Sequence, residues 1–128
     1  MLFILVACAS VPPVTPAPRD PPKKEEIERL EAEDPTWKLL QIVNPIYPRK
    51  PFYDGIEGWV VLEYDVYEDG VPRNIKVKDS SPKDLFDSAA IKALEQFLYE
   101  PIKKGGESEV KPLIGLNRLF HFKIQRKP

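Results

Sequence analysis

Cysteine and histidine are almost missing from this chain: Cys8 and His121 are the single examples of each among 128 residues. One cysteine excludes an internal disulfide and any cysteine-rich zinc site. One histidine excludes a multi-histidine metal cage and a two-histidine relay. Neither charge is in excess, because 19 basic residues face 20 acidic ones for a net charge of -1. Such a balance supplies no basic field for nucleic acid and no acidic tail. The length allows one domain of ordinary size plus a tail, not two cores. Most enzyme chemistries lose support on these grounds alone.

Long apolar runs are scarce too. Leu2 to Ala7 is unbroken, but a bilayer-spanning helix needs about 20 apolar residues. The run resembles the end of a secretory signal without its basic start, and the recorded start is expected to lie inside a longer reading frame. Leu5-Val6-Ala7-Cys8 matches the bacterial lipobox, in which small residues precede a cysteine that becomes lipidated. Acyl chains on Cys8 would each add about 0.8 kcal/mol per buried methylene. A chance match in a trimmed apolar segment is the bland alternative. On the bacterial sorting pattern, Ala9 rather than Asp after that cysteine points to the outer membrane.

Proline, by contrast, is plentiful at 15 residues. Pro12, Pro13, Pro16, Pro18, Pro21 and Pro22 form an extended spacer of roughly 34 Å, or alternatively a ligand for an SH3-type domain. Lys23 to Glu33 reads as a charged helical stretch with Ile27 and Leu30 apolar, ended by Asp34-Pro35 and assigned no partner. The expected organisation is a signal and lipobox remnant over 1–8, a linker over 9–38 and a folded domain over 39–126.

Within that domain, Leu39 to Val43 is a short apolar run stopped by Asn44-Pro45, and Pro48 and Pro51 keep the next turn irregular. From Trp59 to Tyr67 the pattern alternates, with Val60, Leu62, Tyr64 and Val66 on one face and Glu63 and Asp65 on the other. Glu68-Asp69-Gly70 turns the chain into a second strand carrying Ile75 and Val77. Asp84 is a candidate helix cap, and Phe86, Ala90, Ala93, Phe97 and Leu98 recur at helical spacing through Tyr99. Ala89 and Ala93 would let that helix lie close to the sheet. Pro101 and the Lys103-Lys104-Gly105-Gly106 turn would end it.

The last strand runs from about Leu113 to Ile124, with Ile114, Leu116, Phe120, Phe122 and Ile124 facing the helix. Arg118 shares that phase, so either a bulge re-aims it or that part of the face is open. Leu119 and His121 take the opposite face. The expected class is α+β: strand, strand, helix, strand, a small antiparallel sheet with one helix on one face.

Ser80, Ser81, Asp84 and Asp87 invite a catalytic reading, but a turn and a helix cap account for them. His121 reads as a surface or interface residue before a general base. Trp59 and Tyr67, on the face away from the helix, read as packing under the N-terminal segment before a second contact surface.

Asn44-Pro45-Ile46-Tyr47-Pro48 followed by Gly55-Ile56-Glu57-Gly58 resembles the opening of the TonB C-terminal domain. Asp69-Gly70, Phe86-Asp87 with Ala89-Ala90, Tyr99-Glu100-Pro101 and Phe120-His121-Phe122-Lys123-Ile124 follow in the same order. The resemblance covers roughly residues 39–124, and its specificity lies in the ordered set. It implies a periplasmic, non-enzymatic module without cofactor or metal. That module binds the extended TonB box peptide of an outer-membrane receptor, or a segment of another envelope protein, beside its last strand.

Carried over, the capture edge is Ile114, Leu116, Asn117, Arg118, Leu119, Phe120 and His121. Asn44-Pro45, with Tyr47 close behind, stands where the family has Gln-Pro; asparagine is one methylene shorter, which weakens contacts that depend on reach. Proline at Asn117 or Leu119 is expected to impair binding, with one of the two amides facing the peptide. The chain departs from a full energy transducer at its front, where a spanning helix is missing and Cys8 to Leu39 reaches only roughly 100 Å. Three readings remain: a lipid-anchored peptide-binding module, a force-transmitting transducer with a truncated N-terminal membrane anchor, or a structural envelope lipoprotein. An exposed last strand also permits a dimer by strand exchange.

Overall fold

The computed structural model describes residues 19–31, 36–102 and 110–125. The lipobox with Cys8, the prolines up to Pro18, Asp34-Pro35 and the Lys103–Gly106 turn lie outside the described residues. The chain forms helix α1 (Lys24–Leu30), strand β1 (Trp37–Gln41), helix α2 (Arg49–Tyr53), strands β2 (Gly58–Val66) and β3 (Pro72–Ser81), helix α3 (Asp87–Leu94), and strands β4 (Leu98–Pro101) and β5 (Leu113–Phe122). Two antiparallel sheets result, a three-stranded one in the order β3-β2-β5 and a two-stranded one pairing β1 with β4. The class is α+β, as the alternation and the helical spacing predict.

Period-two alternation buries Val60, Leu62, Tyr64 and Val66 of β2 under α3, whose Ala90 and Ala93 are also buried. Phe86, Leu94, Phe97, Phe120 and Phe122 complete the core, and Trp37 and Tyr99 extend it to the smaller sheet. Small side chains on α3 allow the close approach; Ala90 and Ala93 carry it, with Ala89 half-buried beside them. Gly58 is needed for the same reason on the sheet side. A Cβ there would sit 2.3 Å from the Ser81 carbonyl oxygen and 2.6 Å from the Phe86 ring.

Four expectations need correction. The helical spacing does not extend to Tyr99, because α3 ends at Leu94 and Leu98–Pro101 is a strand. Long-range pairing overrides local periodicity here: Tyr99 pairs with Leu39, and its amide donates to the Gly70 carbonyl at 2.8 Å. Gly70, at φ 75°, could not carry a side chain, since a Cβ would lie 1.9 Å from the Tyr99 carbonyl oxygen.

Asp84 is not the cap of α3. It lies two residues before the Phe86 N-cap with φ 67°, and no side chain caps this helix. The Pro48–Pro51 stretch is not irregular but forms α2, with Pro48 at the N-cap and Pro51 in the first turn, where a missing amide costs nothing. Ile114 does not face the helix. A register shift between Tyr64 and Val66 accompanies Gly115 at φ 70°, so Leu113 turns inward and Ile114 stays 63% exposed.

Candidate functional site

The three-stranded sheet has two outer edges, and their sequences differ. β3 carries Arg73, Lys76 and Lys78 along its length and a left-handed Asn74, features that discourage another strand from pairing. β5 carries one charged residue, Arg118, in ten. Its edge is therefore the more receptive of the two.

The direction of the β5 backbone is fixed by one contact. The Leu119 amide donates to the Glu31 carboxylate oxygen Oε1 at 2.8 Å, so it points away from β2. Backbone groups alternate in direction along an antiparallel strand. Asn117, Leu119 and His121 thus present their amides and carbonyls outward, while Arg118 and Phe120 pair with Leu62 and Val60. The expectation that only one of Asn117 and Leu119 faces outward is corrected by this parity: both do.

Side chains follow the opposite sorting. Leu116, Arg118 and Phe120 lie on the core face, opposite Tyr64, Leu62 and Val60. Arg118 is not re-aimed by the bulge, which falls earlier in the strand. It stays on the core face at an opening, its guanidinium 5.4 Å from the Phe97 ring centroid and its Nε 3.5 Å from the Tyr64 hydroxyl. That hydroxyl lies 2.5 Å from the hydroxyl of Tyr99. Burial, then the neighbouring Tyr64, pushes the Tyr99 phenol well above its ordinary range. On the outer face, Asn117 accepts a hydrogen bond from Lys78 at 3.2 Å, and His121 lies opposite Trp59. Burial and then Lys123 hold the His121 imidazole below its usual pKa, with Glu31 opposing.

The segment with Asn44 and Pro45 approaches the far end of β5 through Tyr47. The Tyr47 ring packs edge-on against Phe86 at 5.5 Å and Phe122 at 5.7 Å, and its hydroxyl donates to the Ile56 carbonyl. Tyr47 is thus committed to the domain's own packing, whereas Asn44 is exposed. Ile46 at 85% and Tyr53 at 81% are exposed as well.

Sequence reasoning missed two residues that bind this sheet from the N-terminal segment, Arg19 and Glu31. Arg19 binds the end of β3: its guanidinium reaches Asp79 at 2.5 Å and the Ser80 carbonyl at 3.0 Å, and its amide donates to Ser81 Oγ at 2.9 Å. The Trp59 indole donates to the Arg19 carbonyl at 2.9 Å and lies beneath its guanidinium. Packing under the N-terminal segment, expected for both Trp59 and Tyr67, applies to Trp59 at 4% exposure; Tyr67 is 38% exposed. The sequence did hold one signal. Trp59 and Val61 form an apolar outer face, and both are buried away from the core under α3, so something must cover them. Ser80 and Ser81 are buried at 4% each, with Ser81 used as an anchor for Arg19.

Arg19's hydrogen bond holds the Asp79 carboxyl below the usual carboxylate range. A carboxylate depressed in the folded state contributes stability above its unfolded pKa of about 3.9, and that contribution is lost as pH falls through the lower folded value. Acid should therefore release Arg19, and the Trp59 indole N–H resonance should move toward its solvent-exposed position through that range. Asp79→Asn should show the moved resonance already at neutral pH. An unmoved resonance in the variant would mean that the ion pair does not hold the segment.

Residues 43–117 match the family model described as Gram-negative bacterial TonB protein C-terminal. The chain belongs to that family. It is 31% identical over 94 residues to protein TonB of Pseudomonas aeruginosa, covering 73% of this chain and 27% of that one. It is 37% identical over 65 residues to protein tonB2 of the same organism, covering 51% and 24%. Protein TonB of Escherichia coli K12 is 32% identical over 80 residues, covering 62% and 34%. The chain thus spans about a quarter to a third of the length of these relatives.

The solution structure of the Pseudomonas aeruginosa TonB C-terminal domain superposes with a TM-score of 0.63 at 29% identity, over 76% of this chain and 95% of that one. The tonB2 protein of Vibrio anguillarum gives 0.50 at 29% identity, over 65% and 76%. The region matched by the TonB C-terminal model begins after Arg19 and Glu31, so both contacts to the sheet come from outside it. No helix among the described residues is long and apolar enough to cross a membrane.

Proposed function

We propose that this TonB-family domain is a non-enzymatic module of the bacterial cell envelope that captures an extended peptide by adding it to β5. The partner is a segment of an outer-membrane TonB-dependent receptor or of another envelope protein. The outward amides and carbonyls of Asn117, Leu119 and His121 supply the hydrogen bonds, and the open core face around Arg118 and Leu116 supplies limited side-chain selection. The observation that carries this reading is the Leu119 amide itself, directed away from the sheet and already engaging an oxygen acceptor. Asn44-Pro45, set near the end of β5 by Tyr47, would touch the end of the docked peptide.

Calorimetric titration of the full chain with short synthetic peptides copied from the N-terminal segments of outer-membrane receptors tests the reading. Saturable binding supports it, and no heat from any receptor peptide, with either the parent chain or Glu31→Ala, sinks it.

The domain would face the periplasm, tethered by acyl chains on Cys8, with the outer membrane as its site. Kinship with protein TonB favours a second reading, a force-transmitting transducer whose anchor precedes Met1. Intact mass from the native membrane fraction separates the two. The lipid-anchored form starts at Cys8 and carries acyl chains, whereas the transducer is heavier than the 128-residue chain.

A further inference from the structure

The segment from Arg19 to Glu31 is clipped to the sheet at two places on opposite sides of β2. One clip is Arg19 at the end of β3, against Asp79, Ser80, Ser81 and Trp59. The other is Glu31 on the Leu119 amide of β5. Between them runs α1, which ends at Leu30 and hands Glu31 to the edge as its C-cap. The strap therefore crosses the outer face, where Trp59 and Val61 are buried.

The second clip falls on the backbone that the proposed function requires. An amide has one proton and makes one strong hydrogen bond, and 2.8 Å is a full-strength length for it. A docked strand would place a carbonyl where the Glu31 oxygen sits. The two cannot occupy Leu119 together. The Glu31 carboxylate is, besides, a charged acceptor, stronger at this amide than a neutral carbonyl.

We propose that Glu31 is an intramolecular occupant of the capture edge, and that the strap must leave β5 before a peptide can add to it. This inference rests on the strand-addition reading and assigns that site its own competitor. Capture then carries the cost of opening, so the observed affinity is the intrinsic one reduced by the fraction of molecules with the strap released. The two clips are linked through α1, so loosening Arg19 from Asp79 also favours release at Leu119.

The test uses the full chain and the same panel of receptor N-terminal peptides, with two readouts on each sample: exchange of the Leu119 amide and peptide affinity. Glu31→Ala should speed Leu119 exchange about tenfold and tighten peptide binding about five- to tenfold, because loss of a charged hydrogen bond is of that order. Glu31→Gln keeps a carbonyl oxygen able to accept the amide and should fall between Ala and the parent. Asp79→Asn should move both readouts in the direction of Glu31→Ala, by less. Unchanged Leu119 exchange in Glu31→Ala would overturn the proposal. So would faster exchange with equal or weaker binding, which leaves strand addition standing but removes the competitor. If no peptide binds to parent or variant, strand addition and the competitor fail together.

Discussion

Leu119→Pro is expected to bind peptide about tenfold more weakly than Glu31→Ala while the domain stays folded, since both variants free β5 of Glu31 and only the proline removes the donor. Two features of one amide produce that combination. Its proton points outward, so the substitution removes no bond of the β2–β5 ladder. Proline is tolerated on an edge strand when its missing N–H would have faced outward. The same proton is the central donor for an added strand, and the proline ring also fills space that strand would enter. Removing an outward amide costs the hydrogen bond and leaves the partner carbonyl without a donor, a loss of about 1–3 kcal/mol. Phe120→Pro is the control for direction: its amide faces β2, opposite Val60, so that variant should lose the ladder and unfold. Thermal melts and titration of both variants check the pair. A folded Leu119→Pro that binds as tightly as Glu31→Ala would place capture elsewhere than β5.

The largest expected loss of stability from truncating a side chain comes from Phe86→Ala. Phe86 has 0% exposure and stacks on Phe122 at a centroid distance of 4.4 Å and an interplanar angle of 19°. It also takes the edge of Tyr47 at 5.5 Å and lies against the backbone at Gly58. Truncation leaves a ring-sized cavity among rigid neighbours, for a cost of about 3–5 kcal/mol. A domain of this size has only about 5–15 kcal/mol in total. Denaturant unfolding should therefore show a large drop in midpoint, with unfolded protein already present at physiological temperature. The effect should reach the site as well, because Phe122 and Tyr47 together set the Asn44-Pro45 segment beside the end of β5. A variant as stable as the parent would mean that the Phe86–Phe122 stack is not the centre of the core.

How far the sequence disclosed this depends on the range of the forces involved. β2 was legible because its alternation is local: each residue's face follows from its neighbour's. The same holds for the Asp69-Gly70 turn and for Ala90 and Ala93 on α3. The end of α3 was not legible, because Phe97, Leu98 and Tyr99 fit a helical period as well as a short strand. Only the distant pairing of Leu98 with Gln41 and Tyr99 with Leu39, and the bond to Gly70, decides the matter. Ile114 was misplaced for a related reason, since one glycine at positive φ shifts the phase of everything before it. Arg118 gave a true warning in the sequence, a cation on an apolar face, and the structure resolves it as an opening beside Phe97 rather than a bulge. The strap was hidden because Arg19 and Glu31 look like two more charges in a polar segment. Nothing local distinguishes them from Glu25 or Glu28.

Strand addition at β5 is tested most directly by mapping a bound receptor peptide onto the backbone amides of isotopically labelled full chain by NMR. The account predicts the largest shifts and the strongest protection at Asn117, Leu119 and His121, with smaller changes at Arg19 and Trp59 as the strap leaves. Shifts confined to β3 or to the exposed Ile46–Tyr53 surface, with the β5 amides unmoved, would contradict it.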